Sequence, residues 1–170
     1  MKTFTAILFI LVLSLANAFA GDRLQAGSVA PDFAGNSLDG KELSLTGLQG
    51  KVVVLTFWST RCAICHSEIP KLNRVAEHYR GKDVVFLALT MENEAKVQPY
   101  LNKNPFNFNI VPNSFGVFLK YADKDSNGNI SMGFPAHFLL NRRGEIVMRT
   151  DGWDKASTLD SQIARTLASD

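Results

Sequence analysis

Apolar positions along this chain form two kinds of run. "KVVVLTFWS", Lys51 to Ser59, and "DVVFLALT", Asp83 to Thr90, are continuous β-branched and aromatic stretches without alternation. Such runs suit strands buried on both faces, as in the middle of a sheet covered by helices. Between them, "CHSEIPKLNRVAEHY" carries Ile69, Leu72, Val75, Ala76 and Tyr79 at helical spacing, and Gly81 supplies a stop. A second helix is expected in "ENEAKVQPYLNK", kinked or shortened by Pro99. A weak strand around Phe108 to Val111 and a short helix from Ser114 to Tyr121 follow. "HFLLN", the turn "RRG" and "EIVMRT" read as a hairpin, and "DKASTLDSQIARTLAS" as a closing helix with Asp154 at its N-cap. Upstream, "NSLDGKELSL" alternates about Asp39-Gly40, a two-residue turn signal for a separate N-terminal hairpin.

This order predicts an α/β fold. The first half forms a parallel βαβ unit, and the second adds an antiparallel edge to the same sheet. The first helix begins at the C-terminal end of a central strand, where sites form in open α/β sheets.

The first twenty residues are set apart from that domain. Lys2 precedes the uncharged run Ala6 to Ala16, and two small-residue sites follow, Ala16-Asn17-Ala18 and Ala18-Phe19-Ala20. This is the layout of a secretory signal peptide cleaved after Ala18 or Ala20. The run is shorter than the roughly 20 apolar residues of a membrane span. The remaining segment, residues 21–170, is long enough for one domain with its own core. Losing Lys2 lowers the formal charge from +2 to +1. A chain so near neutrality has no electrostatic footprint for nucleic acid.

Both cysteines of the chain, Cys62 and Cys65, sit where the first strand gives way to the helix. A pair this close can be a structural crosslink, a metal site or a redox couple. In an oxidising compartment a Cys pair is usually structural, but crosslinks gain most by closing long loops, and this one closes almost none. A helix N-terminus presents unpaired N–H groups and the positive end of the dipole, both of which favour an anion. Free cysteine titrates near 8.5 and reacts as thiolate, so Cys62 is the expected attacking sulfur and Cys65, one turn further in, the resolving one. Arg61 adds to this if it turns toward the sulfur.

"VVVLTFWSTRCAICHSEIP", taken with "GFPAHFLLNRRGEIV" about 70 residues later, resembles the thioredoxin superfamily, and within it the exported TlpA/ResA-type thiol-disulfide oxidoreductases. The resemblance runs from about Gly27 to the C-terminus. It implies a thioredoxin-like three-layer sandwich around a mixed sheet, a redox-active Cys62–Cys65 disulfide, and no cofactor. It implies a cis peptide bond before Pro135, which faces the cysteines and leaves the Phe134 backbone free to position an extended substrate segment. It implies reduction of protein disulfides, apocytochrome c among the substrates, by a single chain in a bacterial periplasm. Electrons would come from a membrane thiol-reducing donor of the DsbD/CcdA kind. Glu92 matches an acid that the ResA-like branch keeps near its cysteines and is the candidate proton-transfer group.

Departures from the family pattern mark what cannot be carried over. Ala63-Ile64 stands between the cysteines where Gly-Pro or Glu-Pro is common, and Arg61 replaces an aromatic residue. Thr56 occupies the place of a buried Asp that assists proton transfer in thioredoxins proper. Glu68 also matches a family position, yet an acid in the first two turns equally complements the helix dipole. His137 replaces a common Thr. With His66 and the cysteines it raises the rival of copper carriage on the Sco pattern, although the Sco spacing and its proline are missing. A peroxidase of peroxiredoxin type is a second rival; Ser59 fits its pattern and Leu55 fails it. "DKDSNGNI" matches eight positions of a calcium loop, lacks the closing Glu, and reads as an inserted turn.

Overall fold

The computed structural model describes residues 23–152 and 156–169. The expected signal segment and the expected Asp154 cap therefore lie outside the described residues. Among the described residues, nine strands and four α-helices follow in order: β1 (Ala34–Asn36), β2 (Glu42–Ser44), β3 (Val52–Phe57), α1 (Ala63–His78), β4 (Val84–Leu89), α2 (Glu94–Leu101), β5 (Asn109–Val111), α3 (Phe115–Tyr121), β6 (Asp123–Lys124), β7 (Ile130–Ser131), β8 (Ala136–Leu140), β9 (Ile146–Asp151) and α4 (Leu159–Ser169). The central sheet has the order β5-β4-β3-β8-β9. β3, β4 and β5 run parallel, while β8 and β9 are antiparallel, as the two halves of the sequence imply.

β3 explains why its sequence does not alternate. All six of its residues are buried, and successive side chains enter different cores. Val52 and Val54 join Ile69, Leu72, Leu139, Leu159 and Ile163 beneath α1 and α4. Val53, Leu55 and Phe57 join Phe33, Tyr121, Phe138 and Ile146 on the opposite face. Period-two side chains between two layers of cover require apolar residues at every position. The second core is aromatic at its centre: Phe138 meets Phe57 edge-on at 5.9 Å and Tyr121 at 5.1 Å.

The N-terminal hairpin differs from the sequence reading, and two proline-bearing helices add detail to it. β1 and β2 are joined by a five-residue connection, Ser37 to Lys41, rather than a two-residue turn, with Asn36 and Glu42 as the last pair. The Ser37 hydroxyl bonds the Asp39 carboxylate and the Lys41 carbonyl, a local side-chain pairing that holds the longer connection. Helix α2 starts at Glu94 because the Asn93 side chain accepts the Lys96 N–H, and Pro99 falls in its last turn. Pro70 lies inside α1, where it leaves the His66 carbonyl without an i+4 donor.

The calcium-like segment is the β6–β7 hairpin. Asp125 accepts both the Asn127 and Asn129 N–H groups and the Asn129 amide, and Asp123 takes Arg149 at 2.7 Å. Its carboxylates thus hold the turn together. Among the described residues no helix is long and apolar enough to cross a membrane.

Because Phe138 is fully buried between two aromatic partners, Phe138→Ala is expected to cost about 3–5 kcal/mol. A lower urea midpoint with an unchanged denaturant slope is the readout.

Candidate active site

The buried strand β3 runs directly into the site. After Phe57, Trp58 stays buried, its backbone N–H donating to the Leu89 carbonyl and its ring set against Tyr100 and Phe106. The chain then leaves the sheet through Ser59, Thr60 and Arg61. Glu92, at the end of β4, clasps this loop: one carboxylate oxygen accepts the Thr60 N–H at 2.6 Å and the other its hydroxyl at 2.8 Å. In return, the Glu92 carbonyl accepts the Asn113 N–H. The approach to the cysteines is therefore tied to two neighbouring elements.

Cys62 is the N-cap of α1, and its sulfur accepts the Cys65 N–H at 3.1 Å. A cap takes this bond because the first backbone donors of a helix have no partner within it. The two sulfurs form a disulfide, with Cα atoms 5.2 Å apart. Cys62 is half-buried and Cys65 is 2 % exposed, so only the first sulfur is reachable. Once reduced, a Cys62 thiolate would find the same backbone donor and the helix dipole waiting for it.

Across from the sulfur, Phe134 and Pro135 are joined by a cis peptide bond, as the resemblance implies. Pro135 is buried and β8 begins at the next residue. Phe134 is half-buried, and among the described residues no backbone hydrogen bond engages it. Its ring stands edge-on to Phe118, which stacks on the exposed Phe115, making an aromatic ledge that leads away from the disulfide. Cys62, Phe134, Arg61, Met91, Glu92 and Lys96 face a cleft of about 690 Å³.

The surroundings of Glu92 act on its carboxyl in opposite directions. Burial would raise it, yet the Thr60 N–H, the Thr60 and Ser59 hydroxyls and the Lys96 charge together hold it below the usual range. The carboxylate so bonded clasps the loop that leads to Cys62.

The histidines are also placed differently from a metal centre. His66 lies against the Tyr100 ring at 4.7 Å. His137 is fully buried on β8, with Nδ1 3.0 Å from Thr56 Oγ1 and Nε2 3.2 Å from Glu68. Both ring nitrogens are thereby committed. Among the described residues no three His, Cys, Asp or Glu side chains gather as a metal would require. The Thr56–His137–Glu68 chain is what residue-by-residue reading missed. Its signal was present: Thr56 and His137 are polar residues inside runs that are otherwise wholly apolar.

Comparison with known proteins agrees with this geometry. The sequence profile of the AhpC/TSA family matches residues 26–149. The chain belongs to the AhpC/TSA family. Within this family it is similar to the thiol-disulfide oxidoreductase ResA of Geobacillus thermodenitrificans, at 32% identity over 84% of this chain and 82% of that protein. ResA of Bacillus subtilis is 30% identical over 87% of this chain and 83% of its own length. Among solved structures, the thioredoxin domain of a thiol-disulfide oxidoreductase from Bacteroides vulgatus superposes with a TM-score of 0.67 at 25% identity, covering 82% of this chain and 99% of that one. This AhpC/TSA member is a thiol-disulfide oxidoreductase with a thioredoxin-like fold, and Cys62–Cys65 is its cysteine pair.

The Glu92 clasp has a pH signature. A carboxyl depressed in the fold contributes stability above its unfolded range, near 4.5, and that contribution is lost as pH falls through the lower folded value. Glu92→Gln is expected to be less stable than the native chain at neutral pH by about 1 kcal/mol, with the gap closing in acid. Urea titrations at neutral pH and at about pH 3 check this.

Proposed function

We propose that this oxidoreductase reduces disulfides in other proteins, with Cys62 as the attacking thiolate and Cys65 as the resolving thiol. The observation that carries this reading is the asymmetry of the pair: a half-buried N-cap sulfur opening onto a cleft, backed by a buried partner. Phe134, with its free backbone beside cis-Pro135, offers an extended substrate segment a place to pair, and the aromatic ledge favours apolar side chains next to the target cysteine.

A dithiol oxidises others strongly when its own reduced form is well stabilised, as in DsbA. The cleft beside Cys62 is lined by one carboxylate, Glu92, and two cations, Arg61 and Lys96, whose effects on a thiolate oppose each other, so the direction of exchange is read from the potential rather than from the charges.

The protein leaves each cycle oxidised and needs an external donor; a membrane thiol-reducing protein of the DsbD/CcdA kind fits an exported chain. Export rests on the N-terminal segment, Lys2 to Ala20, and the family resemblance favours a bacterial periplasm. Apocytochrome c, whose cysteines must be reduced before haem attachment, is one substrate of suitable chemistry. The chain acts as a monomer in this scheme.

Equilibrating residues 21–170 with dithiothreitol or glutathione buffers tests the direction. A potential near the thioredoxin value of about −270 mV is expected, whereas one near the DsbA value of about −120 mV would make the protein an oxidant. Cys65→Ser is expected to accumulate a mixed disulfide through Cys62, and Cys62→Ser to lose all exchange, both visible on non-reducing gels. A pair that never cycles would end the reading.

A further inference from the structure

A row of aromatic rings leads from the cleft onto α3. Phe134 borders the cleft together with Cys62. Its ring meets Phe118 edge-on at 6.0 Å, and Phe118 stacks on Phe115 at 6.3 Å. Phe115 is 56 % exposed, and Leu119, one turn further along α3, is 41 % exposed. Neither belongs to the two buried cores, so the packing of the fold does not account for them. Single apolar residues on a surface are ordinary, but a contiguous row that starts beside a reactive sulfur marks an interaction site.

Backbone bonds fix the row relative to the disulfide. The Asn113 N–H donates to the Glu92 carbonyl and the Ser114 N–H to the Thr90 carbonyl, so α3 starts beside the residue that clasps the approach to Cys62. Gly116 follows Phe115 in the first turn, where a glycine costs helix stability, and open space surrounds the place a Cβ would take. Packing within the protein therefore does not demand this glycine, whereas a second chain lying down on α3 gains from the missing side chain. The ring spacing suits an extended segment. Such a segment advances about 3.3 Å per residue, so its same-face side chains recur every 6.6 Å or so, roughly twice that rise. The two ring-to-ring steps of 6.0 and 6.3 Å match that repeat. The row begins at Phe134, whose backbone makes no backbone hydrogen bond among the described residues.

We propose that the Phe134–Phe118–Phe115 row, edged by Leu119, is a specificity subsite for an extended substrate segment with apolar side chains two and four residues from its reacting cysteine. This deepens the reductase reading and rests on it. Continuity with the reacting sulfur argues for this occupant: a segment joined to Cys62 lies across Phe134, and its next same-face side chains reach Phe118 and Phe115. In the exchange, the Cys62 thiolate bonds one sulfur of the substrate disulfide and expels the other as thiolate. The Cys65 sulfur then bonds Cys62 Sγ, the segment's sulfur leaves, and the Cys65 proton passes to a released thiolate. Two electrons have moved from the cysteine pair to the substrate. Apolar side chains that alternate along a segment are covered once a protein has folded. The substrate class is therefore a polypeptide not yet folded around its cysteine.

Single-cysteine peptides joined as mixed disulfides to 2-nitro-5-thiobenzoate test the register, because the reduced protein releases a coloured thiolate from each. One peptide carries Leu two and four residues to either side of the cysteine, a second carries the same Leu residues one and three away, and a third carries Ser throughout. The first is expected to react about tenfold faster than either of the others. In Phe115→Ser and Leu119→Ser, whose side chains lie outside both cores, that ratio should fall toward one. Val147→Ser, at an exposed apolar position on β9, should keep the native ratio. Should the variants fail to fold, the native protein still decides: equal rates for the three peptides would overturn the proposal while leaving the reductase intact. A preference that survives in the Phe115→Ser, Leu119→Ser double variant would overturn it as well. A native dimer that Phe115→Ser turns into a monomer, seen by sedimentation, would give the row to a second copy of the chain and refute the subsite. No thiolate released from any peptide or from 5,5′-dithiobis(2-nitrobenzoate) would instead overturn the reductase reading, and this proposal with it.

Discussion

Burial of β3 on both faces is the constraint from which the rest of the site follows. Its odd and even residues belong to separate cores, so the strand can neither rotate nor slip in register without exposing one set of side chains. Its end is therefore a fixed point. Trp58 continues the strand's burial, the Glu92 clasp holds the next loop, and Cys62 arrives as the cap of α1 with its sulfur already paired to a backbone donor. β8 runs alongside with Ala136 opposite Phe57, which sets cis-Pro135 level with the start of the helix. A thiol placed by two cores and a proline corner needs little rearrangement to react, and this is how a site gains from being built on a rigid frame.

Two glutamates near the cysteines lie in opposite surroundings. Glu92 lies at the rim, where two donors from Thr60, one from Ser59 and the Lys96 charge fix it as an anion. Glu68 lies in the core, against the fully buried imidazole of His137. The acid that resemblance singled out, Glu92, is the one clasped by the approach to Cys62; Glu68, which also complements the helix dipole, sits buried against His137.

The difference marks how far the sequence could be read. Strands with unbroken apolar runs, the helical spacing after the cysteines and the cis-Pro135 corner were legible because each is a local pattern with one structural solution. The length of the β1–β2 connection was not, since it is held by the bonds of the Ser37 hydroxyl to Asp39 and Lys41. The Thr56–His137–Glu68 chain was hidden for another reason. Its members lie 81 and 69 residues apart, and only the register Thr56↔His137, with α1 laid across it, brings them together. A polar residue inside a buried run announces that a partner exists, and long-range pairing decides which one it is.

The layout also separates two sets of polar groups about the disulfide. Glu92, Arg61 and Lys96 face the cleft with Cys62. The Thr56–His137–Glu68 chain is buried, with Glu68 one turn after Cys65 on α1. The residues between the cysteines belong to neither group: Ala63 is exposed and Ile64 half-buried, and neither brings a charge or a side-chain donor to the sulfurs. The usual proline there would have constrained the first turn of the helix. In this chain that first turn is held instead by the Cys65 N–H bond to Cys62 Sγ.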